Sequence, residues 1–179
     1  MKNYLLTIIG SAMLCFQLTS CNKTEKQNDA IVFKNISKTI IAPNTDSISG
    51  ACKPIIIEFT NRGYNYSINI NNSSIIIECD AFGRIVTDSK TNDIKVFNEG
   101  MSIDANQNWT SIKDLNLDNF AGKGEKYIGY RFCEYPSGIN HYYYEWIKIK
   151  LSVNRDTLEI ISQAGNLTEN NSINTGQLK

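Results

Sequence analysis

Short apolar runs, rich in β-branched and aromatic residues, alternate along the chain with segments of Asn, Gly, Ser and Asp. Runs of this length and composition are typical of β-strands, and the polar segments between them carry turn-forming residues. No stretch keeps a helical period over several turns, and only "WTSIKDLNLDNF", residues 109–120, is compatible with a short helix. The predicted strands are "AIVFKN", "KTIIAP", "PIIIEFT", "YNYSINI", "SIIIEC", "GRIVT", "IKVFN", "KYIGYRFCEY", "HYYYEWIKIKLSV" and "TLEIIS".

Many short strands without intervening helices favour antiparallel sheets that are stacked as a sandwich or rolled into a barrel. The segment "YSINI", residues 66–70, alternates polar and apolar positions, as a strand with one solvated face does. No repeat of fixed period and no Pro- or Ser-rich linker divides the chain. We therefore predict an all-β fold, a jelly-roll-like antiparallel β-sandwich or a barrel, as a single domain over residues 30–179.

The first 20 residues have the features of an export signal. Lys2 gives the positive start, and "YLLTIIGSAMLCF" gives an apolar core that is too short to span a bilayer as a permanent helix. The four residues "LTSC" that end at Cys21 resemble the lipobox of bacterial lipoproteins, in which the cysteine is acylated and becomes the first residue of the mature chain. Residues 1–20 are thus predicted to be a lipoprotein signal peptide. The alternative is an ordinary secretory signal, with Cys21 left as a thiol.

The lipoprotein resemblance implies a membrane attachment through the acyl chains on Cys21, without a spanning helix. Asn22 stands where inner-membrane retention often uses Asp, so the similarity to lipoproteins favours the outer membrane, on its periplasmic or its surface side. The segment "NKTEKQND" is polar and without periodicity, and we predict that residues 21–29 are a flexible tether.

Six motifs from residue 94 onward occur in a familiar order. The segments "VFNEGMSID", "NQNWTS", "NFAGKGEKYIGYRF", "HYYYEWIKIKL", "TLEIISQAGN" and "SINTGQ" resemble the C-terminal half of a family of secreted β-proteins of Bacteroidota and related bacteria. The resemblance covers about half of the chain and implies an exported β-fold without an assigned activity. This chain departs from the family at Glu145, where the family has Gly, and at "SQAGN", where it has "YAYE". The family's acidic, calcium-compatible segments have no match here, so no metal is carried over.

Composition limits the partners. The 18 basic and 18 acidic residues balance and are interspersed, so no basic patch indicates nucleic acid. Besides Cys21, the predicted mature chain holds Cys52, Cys79 and Cys133. An oxidising compartment is compatible with one disulfide among these three, and the sequence leaves the pairing open. Three buried apolar cysteines are the alternative. No zinc-site spacing and no CxxC are present.

The segment "HYYYEWIKIKLSV" is the most aromatic of the predicted strands. Alternation places Tyr143, Glu145 and the aliphatic residues that follow on one face, and Tyr142, Tyr144 and Trp146 with two lysines on the other. Either a bulge near Glu145 moves aromatic rings into the core, or the three aromatics line an outer face as a ligand platform on which sugar rings stack.

Catalytic chemistry has little support in the sequence. A nucleophilic triad or a Cys-His pair must use His141, the only histidine, with Cys133 across the same hairpin. Glycoside hydrolysis needs two carboxylates, and Glu58, Glu78 and Asp80 are the candidates. The segment "DLNLDN" lacks the glycine and glutamate of an EF-hand, and "GKGEK", residues 122–126, is predicted to be a turn with solvated charges.

We therefore expect no catalytic residues, no metal and no cofactor. The predicted function is that of a non-catalytic binding or assembly module of the cell envelope, with a glycan or an envelope protein as its partner. A hydrolase of envelope or extracellular polysaccharide is the alternative.

Overall fold

A computed structural model describes residues 30–41, 55–58, 65–70, 74–79, 82–111, 114–116 and 120–179. Within these ranges the chain is all-β and its strands pair antiparallel, which confirms the predicted fold class. The strands are β1 (Ile31–Ile41), β2 (Ile55–Glu58), β3 (Asn65–Ile70), β4 (Ser74–Cys79), β5 (Gly83–Thr87), β6 (Val96–Phe97), β7 (Ser102–Ile103), β8 (Asn108–Thr110), β9 (Asp114–Asn116), β10 (Glu125–Glu134), β11 (His141–Leu151), β12 (Thr157–Asn166) and β13 (Ile173–Asn174).

Three antiparallel sheets are present in the described residues. The main sheet has seven strands, of which β1, β12, β11, β10, β5 and β8 lie side by side in that order, while β6 pairs with β10. Strands β2, β3, β4 and β9 form a four-stranded sheet, and β13 and β7 form a two-stranded sheet. The long hairpin of β10 and β11 occupies the middle of the main sheet and keeps an unbroken register from Glu125 opposite Lys150 to Glu134 opposite His141.

The main sheet is buried on both faces. One face packs against the four-stranded sheet, and we call this the intersheet core; its buried members include Tyr66, Ile68, Ile77, Ile128 and Ile147. The opposite face packs under the two-stranded sheet, and we call this the second core; its buried members include Val86, Ile103, Tyr144, Trp146 and Ile173.

Strand β11 shows why one sequence serves both cores. Adjacent side chains of a strand point to opposite faces, so Ile147 and Ile149 enter the intersheet core while Trp146 enters the second core. The pairing of β11 with β12 is regular around Glu145 and shifts only between Lys148 and Ile149. Trp146 therefore reaches a core by regular alternation, and not through the bulge near Glu145 that was one of the two predicted alternatives.

Two expectations about the secondary structure are corrected. The segments "AIVFKN" and "KTIIAP" form one strand, β1, because a bulge between Asn35 and Lys38, with Ser37 at φ 51°, bends the chain without ending the pairing. The short helix with which residues 109–120 were compatible is absent from the described part of that segment. There the chain forms β8, which pairs with β5, and β9, which pairs with β4.

Gly129 lets β10 lie close under the second core. A Cβ atom at this position would stand 2.9 Å from Val86 Cγ2 and 3.2 Å from Ile103 Cδ1. The Val86 side chain is short and branched and has no flexible end that can move away from such an atom. We therefore expect Gly129→Val to lower the free energy of unfolding by about 1–3 kcal/mol. Denaturant unfolding measures the loss. The double variant Gly129→Val with Val86→Ala restores part of it, and equal losses in the single and double variants would contradict this packing.

Candidate functional site

Burial separates the three aromatic residues of the predicted platform. Tyr144 and Trp146 are each only 1% exposed, whereas Tyr142 is half-buried. Of the two alternatives that the sequence left open, an outer face lined by all three is excluded for Tyr144 and Trp146, because Ile103 and Ile173 of the two-stranded sheet cover that face. Of these three residues, Tyr142 is the one that lies at the border between the second core and solvent.

Next to Tyr142, a guanidinium group lies between two aromatic rings. The Arg131 Cζ atom is 4.4 Å from the centroid of the Tyr142 ring and 4.7 Å from that of Trp109. The Trp109 indole N–H donates to the Asp104 carbonyl at 3.1 Å, and the Asn140 amide nitrogen donates to the Tyr142 hydroxyl at 3.3 Å. These bonds hold the rings in place, and each ring face attracts the cation.

A second arginine stands directly opposite the first. Arg84 of β5 pairs in register with Arg131 of β10. Like charges at directly opposite positions destabilise a sheet. Burial, and to a smaller extent the charge of Arg84, lower the pKa of Arg131. Arg131 nevertheless stays protonated, because arginine is not deprotonated in proteins.

The charge of Arg131 is not balanced within the described residues. Its Nε atom is buried without a hydrogen-bond partner there, and none of the described ion pairs includes Arg131. The Tyr144 hydroxyl forms a hydrogen bond with the guanidinium, but this partner is neutral and leaves the positive charge without a counterion among the described residues. The arrangement therefore favours a ligand with a negative charge.

Two exposed rings extend this surface. Phe82 is 46% and Tyr135 57% exposed, and their ring centroids lie 6.1 Å apart in an edge-to-face arrangement. Tyr135 is close enough to Cys133, Tyr142 and Arg84 for these groups to act on its pKa, which is raised, with Cys133 as the main cause. We call this surface the arginine–aromatic patch; its members are Phe82, Arg84, Trp109, Arg131, Tyr135 and Tyr142.

The structure separates His141 from Cys133. Cys133 is opposite Tyr142 and Glu134 is opposite His141, so the imidazole and the thiol point to different faces of the sheet. His141 Nδ1 instead contacts the Glu169 carboxylate. The Tyr143 hydroxyl donates to the same carboxylate at 3.3 Å. The Cys-His pair that the sequence allowed is therefore not formed.

Two of the three carboxylates considered for glycoside hydrolysis lie in the four-stranded sheet. Glu58 ends β2 opposite Asn65, and Glu78 lies in β4 opposite Ser67. Asp80 lies outside the described residues, as do Cys21 and Cys52. Cys79 lies in β4, whereas Cys133 is buried in β10 and donates through Sγ to the Glu134 carbonyl at 3.6 Å. The disulfide predicted among Cys52, Cys79 and Cys133 stays a prediction.

Glu145 of β11 points into the intersheet core. It is buried, opposite Tyr130 on one side and Gly165 on the other. Burial and then the Glu145 carboxyl raise the pKa of Tyr66 well above its usual value. The Tyr66 phenol therefore stays neutral and donates to Gln163 Oε1 at 2.8 Å. Glu145, Tyr66 and Gln163 thus form a polar cluster that is buried from solvent.

The two arginines and Trp109 were missed in the sequence. One signal was present, because a charged residue inside the apolar run "YIGYRF" is unusual unless it is paired or functional. The partner rings come from β8 and β11, and their meeting depends on a strand order that no local pattern encodes.

Comparisons with protein-family models, curated proteins and solved structures find no match to this chain. None of the described segments forms a helix with the length and apolar character that a membrane crossing requires. In the same ranges, no three His, Cys, Asp or Glu side chains converge as a metal-binding group.

Proposed function

We propose that this chain is a non-catalytic binding module of the bacterial cell envelope that holds an acidic glycan on its arginine–aromatic patch. The observation that carries this proposal is the guanidinium of Arg131, fixed between Trp109 and Tyr142 without a carboxylate partner in the described residues. Exposed rings beside it supply a second kind of contact.

The two kinds of group suit two parts of an acidic sugar. The C–H face of a sugar ring packs on Tyr135 or Phe82, because the aromatic face carries negative potential. A carboxylate or sulfate accepts hydrogen bonds from a guanidinium, and such charge-assisted bonds are stronger than neutral ones. A uronic acid or sulfated sugar therefore fits the patch better than a neutral sugar does.

The proposal includes the predicted anchor. Acylation of Cys21 holds the module at the outer membrane, and the polar tether gives it distance from the bilayer. The polar segment of residues 22–29 lies between Cys21 and strand β1, which begins at Ile31. The hydrolase alternative has no observation in its favour among the described residues.

The test compares Arg131→Gln with the unmodified protein. We expect Arg131→Gln to weaken binding of polygalacturonate roughly 10- to 100-fold, since a hydrogen bond to a charged group contributes about 1.5–3 kcal/mol. Isothermal titration calorimetry at low salt measures the affinity. The matched control is Lys34→Gln, which removes one positive charge from exposed β1, far along the sheet from the patch, and should bind as the unmodified protein does.

A second variant guards against a folding defect. Tyr135→Ala removes an exposed ring, so its melting temperature should stay unchanged while its affinity for polygalacturonate falls. Neutral galactan should bind much more weakly than polygalacturonate. Equal affinities of the Arg131→Gln, Tyr135→Ala and unmodified proteins would refute a role for the patch.

A further inference from the structure

A separate cavity of about 430 Å³ opens near the start of β10. It is bordered by the turn that follows β5, by β6 and by the turn that precedes β10. Among the described residues that line it are three lysines, Lys95, Lys123 and Lys126, and one carboxylate, that of Asp88. We call this cavity the lysine pocket.

Neutral groups orient two of the lysines. Lys95 Nζ donates to Gln107 Oε1 at 2.7 Å and lies 5.1 Å from the centroid of the Phe97 ring. Lys126 Nζ donates to Asn98 Oδ1 at 2.7 Å. These partners are amides and a ring, so they fix the ammonium groups without cancelling their charge. None of the ion pairs in the described ranges includes a lysine of the pocket.

The carboxylate of Asp88 accepts hydrogen bonds from the backbone of its own turn. Asp88 Oδ1 accepts the backbone N–H of Lys90 at 2.8 Å and that of Thr91 at 3.2 Å, and these bonds lower the pKa of Asp88. It therefore remains ionised and oriented by the backbone. Three positive charges less one negative charge give the described lining residues a formal charge of +2.

The turn that carries Lys123 requires glycine on both sides. Gly122 and Gly124 have φ values of 70° and 73°, a conformation that other residues rarely adopt. The segment "GKGEK" was predicted to be a turn with solvated charges. The structure places two of its lysines, Lys123 and Lys126, at the same cavity.

We propose that the lysine pocket binds a small molecule with a phosphate group or another compact group of two or more negative charges. An ammonium group is a compact point charge that suits phosphate, and the volume lies within the range of small-molecule sites. Lys126 and Arg131 lie five positions apart on β10 and so on opposite faces of the sheet. The lysine pocket is thus a different site from the arginine–aromatic patch, and it does not depend on the proposed function.

Pyrophosphate is the probe for the test. We expect calorimetry of the purified protein to show saturable binding of one pyrophosphate per chain, with an affinity that falls as salt rises. Lys126→Gln should weaken this binding about tenfold or more, because it removes one charge-assisted hydrogen bond. Lys34→Gln, the charge-matched control on β1, should leave the affinity unchanged.

A second variant, Lys123→Gln, changes an exposed side chain and keeps the test valid if Lys126→Gln fails to fold. Absence of saturable binding, or equal loss of affinity in Lys34→Gln, would overturn the proposal. Vesicles that contain phosphatidic acid distinguish the source of the phosphate. Lysine-dependent binding to vesicles assigns a lipid headgroup, and lysine-dependent binding of pyrophosphate alone assigns a soluble ligand.

Discussion

Replacing Trp146 by alanine is expected to lower the free energy of unfolding by about 3–5 kcal/mol. The indole is 1% exposed and packs edge-to-face on Tyr127, with ring centroids 5.2 Å apart. Phe33 covers it from the edge strand at 6.3 Å. Removing the ring leaves a cavity in the second core, and the rigid sheet beneath it limits how far the neighbours can relax into that space.

Chemical denaturation followed by circular dichroism measures the change. Trp146→Phe is the informative comparison, because the indole N–H has no hydrogen-bond partner among the described residues and its loss should cost little. We expect the phenylalanine variant to keep most of the stability. A loss below about 1 kcal/mol for Trp146→Ala would instead mean that this face is solvated, as in the platform interpretation.

Replacing the next residue, Ile147, by alanine is expected to cost about 2–5 kcal/mol, although its side chain points to the other side of the sheet. Ile147 is fully buried in the intersheet core, opposite Ile128 of β10 and Gln163 of β12. Adjacent residues of a strand with one solvated face would differ strongly in their effects. Comparable losses at both positions are the signature of a strand that is buried on both faces.

The control for Ile147→Ala lies on the same strand. Lys150 is exposed and forms an ion pair with Glu159 at 3.3 Å, so Lys150→Ala should change the free energy of unfolding by no more than about 1 kcal/mol. If Ile147→Ala lowered the free energy of unfolding only slightly while Trp146→Ala caused the expected loss, packing of the four-stranded sheet on the main sheet would be contradicted.

Local pattern was sufficient for most of the strands. Segments such as "GRIVT" and "KYIGYRFCEY" hold enough β-branched and aromatic residues to be recognised; β5 has its predicted bounds, and β10 is shifted by one residue toward the N-terminus. Strands β7 and β13 were missed because two residues each carry no periodicity. The short helix with which residues 109–120 were compatible does not form where pairing with β5 outweighed a weak local preference.

The site was only partly predictable for the same reason. Tyr142 was identified by its place on an aromatic strand, but its burial relative to Tyr144 depends on the cover formed by β7 and β13. Those strands are far from β11 in sequence. Arg131 gave a local signal, yet its stacking partner Trp109 lies on another strand of the sheet, so only the strand order brings them together.

The fold can be completed only after β13 is available to pair with β7. The Met101 N–H donates to the Thr175 hydroxyl across a separation of 74 residues, and Ile173 lies opposite Ile103. Because the ribosome delivers the chain from its N-terminus, Tyr144 and Trp146 are made before the segment that covers them. The cover of these rings is therefore incomplete until residues 173–175 are present, and only then can the last layer close.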